Sequence, residues 1–479
     1  MPILQRQNYV FTIHIFIMKN LLIALFVGCV FIGCKKKDSP TPVVPPVVVV
    51  DPDPPAFDTP FSGVPATKDM VMYEVNMRAF SQAGDFKNVQ ARLDSVKSLG
   101  VNVLWLMPIH PVGQVKSVGQ LGSPYSVQNY TEVNPEFGTL ADLQTLVKEA
   151  HNRQMSVIID WVANHTAWDN PWISKSPEWY TRDAAGTIQI PSGTNWQDVA
   201  DLNFDNAAMR KEMIKSMKYW VLRANIDGFR CDAADFVPYD FWKQAIDTLN
   251  NMPKRKLILL AEGGRANHFT AGFQMNYGWD FFNAEKGIYK NGQAAAALFN
   301  THKSEYSNVP TGVHKLRFTT NHDESAWDDT PINLFGNARG AIGAFVLSSY
   351  LGGVPLLYNG QEVGRADKTP FFSKSPINWS ANPNYLTEYK QIMAFRQANT
   401  VVRDGSLENF DDTDIAVFKK KRDNQEVLVM VNTRNAAKTY TLPSSLANTS
   451  WKNAFNNGVT PLSTSINFGA YEYLILKNF

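Results

Sequence analysis

From Lys68 onward the chain alternates two hydrophobic rhythms. Short runs rich in Val, Ile and Leu read as strands: MVMYEV (70–75), VNVLWLMPI (101–109), MSVIIDWV (155–162), IDGFRCDA (226–233), LILLAE (257–262), GFQMNY (272–277), KLRFTTN (315–321) and VPLLYNG (354–360). Longer stretches with helical spacing separate most of them. Val89, Leu93, Val96 and Leu99 share one helical face, and Met209, Met213, Met217, Trp220 and Val221 share another. Thr139 followed by Asp142 is a helix-start pattern. Eight apolar strands alternating with helices predict a parallel sheet covered on both faces, and the number eight points to a (β/α)8 TIM barrel over 66–400. A doubly wound open sheet is the alternative, but no glycine-rich phosphate loop follows the first strand.

Two departures from that rhythm mark further domains. The tryptophan-rich stretch between the third and fourth strands predicts a small inserted domain over 166–205. Beyond about residue 400 the pattern becomes short alternating strands broken by Asn, Gly and Pro, which predicts a C-terminal antiparallel β-sandwich over 401–479.

The amino terminus follows neither rhythm. From Met18 it reads MKNLLIALFVGCVFIGC, a positive start, an apolar core and then Gly33-Cys34, the layout of a secretory signal over 1–34 with its start at Met18. The apolar run is too short for a comfortable membrane span. A small residue before a terminal cysteine resembles a bacterial lipobox, so Cys34 is expected to carry lipid and anchor the exported protein to a bacterial membrane. A plain secretory signal with an incidental cysteine is the other reading. The stretch 35–65, opening KKKDSPTPVVPPVVVVDPDPP, reads as a disordered proline-rich tether. Roughly twenty extended residues reach about 60 Å at about 3.1 Å each. With Cys29 in the signal, Cys231 is the one thiol of the folded part, which excludes a disulfide within it.

Composition adds little. Hydrophobic residues at 44% and charged residues at 19% describe a chain able to bury a large core, and a net charge of +2 gives no reason to expect nucleic acid. A monomer is expected.

The placement of polar residues says more. They gather at the C-terminal ends of the strands: Asp160, Asn164 and His165 after the third, Arg230 and Asp232 on the fourth, Glu262 on the fifth, His322 and Asp323 after the seventh. A barrel delivers all those ends to one mouth. Unpaired buried charges are costly, so such a set is poorly explained as separate caps. Two carboxylates across a substrate suit glycoside hydrolysis. Residues 230 and 232 alternate to one side of a strand, so Arg230 can keep Asp232 ionised, while Glu262 has no arginine beside it in sequence and is expected to keep a proton. Cys231 faces the other way. Tyr73, Tyr125, Trp161, Trp168, Trp172 and Trp196 are candidates for stacking on sugar rings.

The motifs DWVANH (160–165), GFRCDAA (228–234), LLAEGG (259–264) and FTTNHD (318–323) stand in an order that resembles glycoside hydrolase family 13, the α-amylase family. SPYSVQNYTEVNPEFGT (123–139), DLN (201–203) and PLLYNGQE (355–362) agree. The resemblance implies a retaining α-glucan hydrolase acting on α-1,4 bonds of starch or maltooligosaccharides. It implies Asp232 as nucleophile, Glu262 as general acid and base, and Asp323 as stabiliser of the distorted sugar. His165 and His322 would bind sugar hydroxyls, Tyr125 would stack beneath the ring, and Asp160 would support the site from behind. It also implies calcium, which many members bind, with Asn164 and Asp201 at two ligand positions; the other reading, since some members lack the ion, is that Asn164 braces a loop by hydrogen bonds. Three positions, Asp235, Phe236 and Asn129, depart from the family. Asp235-Phe236 stands where many members carry Lys-His that contacts sugar, Asn129 replaces a supporting aspartate, and Ala233 matches α-1,4-acting members better than α-1,6-acting ones. An α-glucosidase or transglycosylase using the same residues, and a non-catalytic glucan-binding lipoprotein, are the competing readings.

Overall fold

The eight expected strands close into a barrel in the computed structural model, which describes residues 52–479. They are β1 (Met72–Val75), β2 (Val103–Leu106), β3 (Ser156–Val162), β4 (Gly228–Asp232), β5 (Ile258–Ala261), β6 (Met275–Tyr277), β7 (His314–Arg317) and β8 (Val354–Tyr358). Each pairs in parallel with its neighbours in chain order, and β8 returns to β1.

Strand alternation splits the barrel into two apolar layers. Met72, Val103, Trp105, Ile158, Ile258 and Leu260 fill the interior. Their chain neighbours Tyr73, Leu104, Val157, Ile159 and Leu259 face outward beneath the helices. Both faces are covered, so the strands read as continuous hydrophobic runs. Five charged residues share the inward parity: Glu74 with Met72, Asp160 with Ile158, Arg230 and Asp232 on either side of the outward Cys231, and Glu262 with Leu260. The strands are shorter than the apolar runs that predict them. β7 ends at Arg317, and 318–323 leave the ladder for the mouth. Close approach of β4 and β5 requires Gly228, whose φ is +146° and where a Cβ would meet Ile258 O at 1.9 Å.

The helices follow the sequence. Leu140–Asn152 opens with a capping box: the Asp142 amide donates to the Thr139 hydroxyl at 3.2 Å, and the Thr139 amide donates back at 2.9 Å. Ala207–Arg223 buries the expected Met209, Met213, Met217, Trp220 and Val221.

In the insertion, His165–Ala167 pairs antiparallel with Val199–Asp201, with a short helix, Pro171–Lys175, between them. The C-terminal region is a six-stranded antiparallel sheet facing a two-stranded one, with Val417, Met430, Trp451 and Phe468 between the layers.

The expected signal, Cys34 and the tether up to 51 lie outside the described residues. The remainder of the expected tether is not free: residues 52–65 lie against the barrel. The Phe57 amide donates to Leu222 O at 2.8 Å, and the Asn225 amide donates to Thr59 O at 3.0 Å. Phe61 stacks on His151 with centroids 4.3 Å apart, and Val64 joins the interior layer beside Met70 and Met72. Val64 is buried there and Phe61 half-buried, which offsets the cost of ordering the backbone, whereas Phe57 stays exposed and is held through its main-chain amide. This segment meets the N-terminal ends of the strands, the floor opposite the mouth.

Candidate active site

A single guanidinium organises the mouth. Arg230 is fully buried, and its Nη1 donates to Asp160 Oδ1 and to Asp232 Oδ1, each at 2.8 Å. Its Nη2 lies 2.9 Å from Glu262 Oε1, and its Nε donates to the Tyr277 hydroxyl at 3.2 Å. Glu262 has no arginine beside it in sequence, yet Arg230 reaches it across the ladder. β4 and β5 are ladder neighbours, so one fork spans both carboxylates. The Ala233 amide also donates to Glu262 Oε2 at 2.7 Å.

A hydrogen-bonded chain runs through the other wall. Asp160 Oδ2 accepts from the Tyr125 hydroxyl at 3.0 Å and from Trp105 Nε1 at 3.2 Å. With its proton directed to Asp160, the Tyr125 oxygen accepts from His322 Nε2 at 2.7 Å. His322 Nδ1 meets the Glu74 carboxylate in a short contact. An imidazole with both nitrogens donating is an imidazolium, and its Nε2 also lies 3.3 Å from Asp323 Oδ2. Tyr125 stacks on His322, centroids 5.2 Å apart. His165 stands apart from this chain, with the Asn164 amide 3.2 Å from its Nδ1 and the Trp196 ring edge-on at 5.4 Å.

Residues 67–449 match the family described as the alpha-amylase catalytic domain. The chain belongs to the alpha-amylase family. It is a glycoside hydrolase. Among curated relatives, Alpha-amylase 3 of Dictyoglomus thermophilum is 24% identical over 454 residues, covering 78% of this chain and 87% of the relative. Alpha-amylase MalA of Haloarcula japonica is 26% identical, covering 80% of this chain and 58% of the relative. Among solved structures, a maltogenic alpha-amylase of Thermotoga neapolitana superposes with a TM-score of 0.77 at 28% identity, covering 86% of this chain and 99% of that one.

Electrostatics divide the carboxylates of this amylase-family site. Burial raises Glu262 to about 7 and Asp232 to about 6, each against the pull of Arg230. Asp323 stays below the usual range: burial would raise it, but the His322 imidazolium outweighs that. His322 is itself held well above the ordinary histidine value, since Asp323 and Glu74 outweigh its burial. Burial lowers His165 to about 4, so it is neutral. Glu262 therefore holds a proton to higher pH than Asp232 does.

The raised value has a stability consequence. An exposed glutamate in the unfolded chain titrates near about 4. The native fold binds this proton more tightly, so the contribution is fully present below about pH 4 and lost as pH rises through about 7. Glu262→Gln, always neutral, is expected to gain stability over the wild type, by on the order of 2 kcal/mol more at pH 8 than at pH 5. Urea denaturation at both values checks this, and an equal effect at the two would refute it.

The fold brings Asp160, Arg230, Asp232, Glu262, Tyr125, His322 and Asp323 together, with His165 on the flank beside Trp196. Glu74, Tyr277 and Trp105 complete the cluster and were missed. Glu74 carries the same signal as Asp160, a carboxylate at inward parity within an apolar strand. Tyr277 and Trp105 read as core, and their polar atoms show a role only where the strands meet. Two stacking candidates are corrected: Tyr73 and Trp161 are fully buried and face the helices, the outward parity of their strands. Exposed aromatics by the mouth are Phe236, against Trp196, and Trp327, on a π-helical turn (Glu324–Asp328). Phe371 links Trp327 to Tyr125, with centroids 5.5 and 5.8 Å away respectively.

Asn164 directly precedes the ribbon, where His165 pairs with Asp201, and its main-chain oxygen accepts from the Leu202 amide at 3.2 Å. Burial raises the Asp201 carboxyl, and among the described residues it makes no ion pair. Amide and carboxylate oxygens are the donor type of calcium, and these two fit it. No group of three or more His, Cys, Asp or Glu side chains able to hold a metal occurs among the described residues, so an ion there would draw on amide and main-chain oxygens.

Proposed function

We propose that the chain hydrolyses α-1,4-glucosidic bonds in starch or maltooligosaccharides with retention of configuration. Asp232 attacks C1 as the bond to the leaving oxygen breaks, and Glu262 gives that oxygen its proton. Glu262 then takes a proton from water, the water oxygen bonds to C1, and Asp232 leaves. Asp323, His322 and His165 hold sugar hydroxyls, and Tyr125 lies beneath the ring. The observation that carries this reading is the Arg230 fork, which contacts Asp232 at 2.8 Å and Glu262 at 2.9 Å. Against the pull of that fork, burial and the neighbouring carboxylates raise Glu262 further than Asp232, so the shared site divides into a proton holder and an ionised carboxylate. The relatives named alpha-amylase support the α-glucan, and the complete carboxylate set supports turnover over binding alone.

The deciding experiment is mass spectrometry of denatured Glu262→Gln protein after exposure to α-glucosyl fluoride, with Asp232→Asn as control. One glucosyl unit is expected on Asp232. If no adduct forms and the wild type releases no reducing ends from starch, the non-catalytic glucan-binding reading replaces this one.

Calcium, where bound by Asn164 and Asp201, would brace the insertion against the barrel by neutralising a desolvated carboxylate. Chelation is then expected to lower Tm, and calcium to restore it. An unchanged Tm would remove the ion from the proposal. Export as a lipoprotein completes the reading, with lipid on Cys34 and the anchoring segment reaching the barrel at its floor. A palmitate analogue fed to expressing cells should label the wild type and not Cys34→Ser; equal labelling of the two would refute it.

A further inference from the structure

Asp235 stands where the family pattern offers a lysine to the sugar, and its carboxylate is engaged elsewhere. Oδ2 accepts from the Gly264 amide at 3.0 Å, and Oδ1 accepts from the Arg265 amide at 3.4 Å. Both amides belong to the loop that begins at Glu262. The contact is reciprocal. Arg265 Nε lies 3.0 Å from Asp235 Oδ1, and Arg265 Nη2 donates to Ala234 O at 2.8 Å and Val237 O at 2.9 Å. His268 Nε2 adds a third contact, 3.2 Å from Oδ1. The loop after β4 and the loop after β5 thus clasp each other through side chains.

Between them lies the catalytic pair. The Glu262 amide donates to Cys231 O, and the Ala234 amide donates to Glu262 O, both at 2.9 Å. The Ala233 amide, in a backbone of φ +43°, holds the Glu262 carboxylate. Gly263 fits the carboxylate of Asp235 closely: its φ is +155°, and a Cβ there would meet Asp235 Oδ1 at 2.5 Å. Glu262, Gly264 and Arg265 are therefore bonded to the segment 231–237, Gly263 packs on it, and Asp235 supplies the side-chain acceptor at its outer end.

We propose that Asp235 is a positioning residue for Glu262: through Gly264 and Arg265 it fixes the acid loop at the distance from Asp232 that proton transfer to the leaving oxygen requires. The inference rests on the proposed retaining mechanism. Proton transfer is sensitive to placement, and a displacement of about 1 Å costs about 100-fold. Bond cleavage to a leaving group that needs no proton is not.

That difference supplies the test. Wild type, Asp235→Ala, Asp235→Asn and Arg265→Met are compared on maltopentaose and on α-glucosyl fluoride. Maltopentaose has a poor leaving group and needs the Glu262 proton, whereas fluoride leaves without it. Asp235→Ala and Arg265→Met are expected to lose about 10- to 100-fold in kcat on maltopentaose with KM changed less than about 3-fold. The first burst of fluoride release should stay within about 3-fold of wild type. Later turnover of the fluoride, which needs Glu262 as base, should slow and recover with sodium azide. Azide attacks C1 of the glycosyl ester, the bond to Asp232 breaks, and no proton has to be removed. Asp235→Asn keeps an oxygen acceptor and should retain most of the maltopentaose activity. Equal losses on both substrates, a change confined to KM, or an unchanged Asp235→Ala would each overturn the proposal. If the wild type itself releases no fluoride at all, the mechanism beneath it fails instead.

Discussion

Asp232→Asn is expected to lower kcat on maltopentaose by on the order of 10⁴-fold or more, with Tm held or raised. The two halves of that result have one cause. Asn is nearly isosteric, and its Oδ1 can still accept from Arg230 Nη1, which now lies 2.8 Å from the carboxylate. Packing is therefore kept. The negative charge is lost, and with it the nucleophile that would form the bond to C1. The same charge is a burden on the fold, because Asp160, Glu262 and Asp323 share the mouth and burial raises Asp232 to about 6. Removing it leaves Arg230 with fewer carboxylates to balance, so stability should not suffer above that pH. Steady-state kinetics together with thermal unfolding test both halves. A loss below about 10-fold would end the nucleophile assignment.

Arg230→Met is expected to act on stability as strongly as Asp232→Asn acts on rate. Arg230 is fully buried and contacts Asp160, equally buried, and Asp232 and Glu262, whose side chains are only 11% and 18% exposed. Met fills similar volume but leaves those carboxylates without a cation, a change that costs about 3–5 kcal/mol for a broken buried pair. The cost should depend on pH. Without the guanidinium the carboxyls hold their protons more tightly, so the variant regains stability as pH falls and loses it as pH rises. Urea denaturation at pH 5 and pH 8 should show the larger deficit at pH 8. Arg230→Lys restores a charge without the planar fork. It should recover part of the stability and little of the activity. If Arg230→Met were as stable as the wild type at pH 8, the fork would not be what allows three carboxylates to share the mouth.

Much of this was legible along the chain, for a reason visible in single residues. Strand alternation is a local property. Because Phe229 and Cys231 are apolar and face the helices, Arg230 and Asp232 had to face inward, and the same parity placed Asp160 with Ile158 and Glu262 with Leu260. The number of strands, the insertion, the C-terminal sheets and the gathering of carboxylates at one mouth all follow from spacing. Aromatic residues were less legible. Tyr73 and Trp161 looked like Tyr125 in composition, and strand parity turned the first two toward the helices.

What the sequence by itself determined, then, was which face each strand residue takes and which chemical groups reach the mouth. Only the tertiary structure decided which of those groups meet. Glu74 pairs with His322 across 248 positions of sequence, and Tyr125 reaches the same ring across 197. Arg230 spans two adjacent strands to reach Glu262, which no local spacing could show. The docking of Phe61 and Val64 beneath the barrel, and the turning of Asp235 from the sugar to the acid loop, are decisions of the same kind. Periodicity records a residue's direction relative to its own backbone, whereas partnership depends on closure of the barrel, where a few ångströms of register between distant segments select one contact among many.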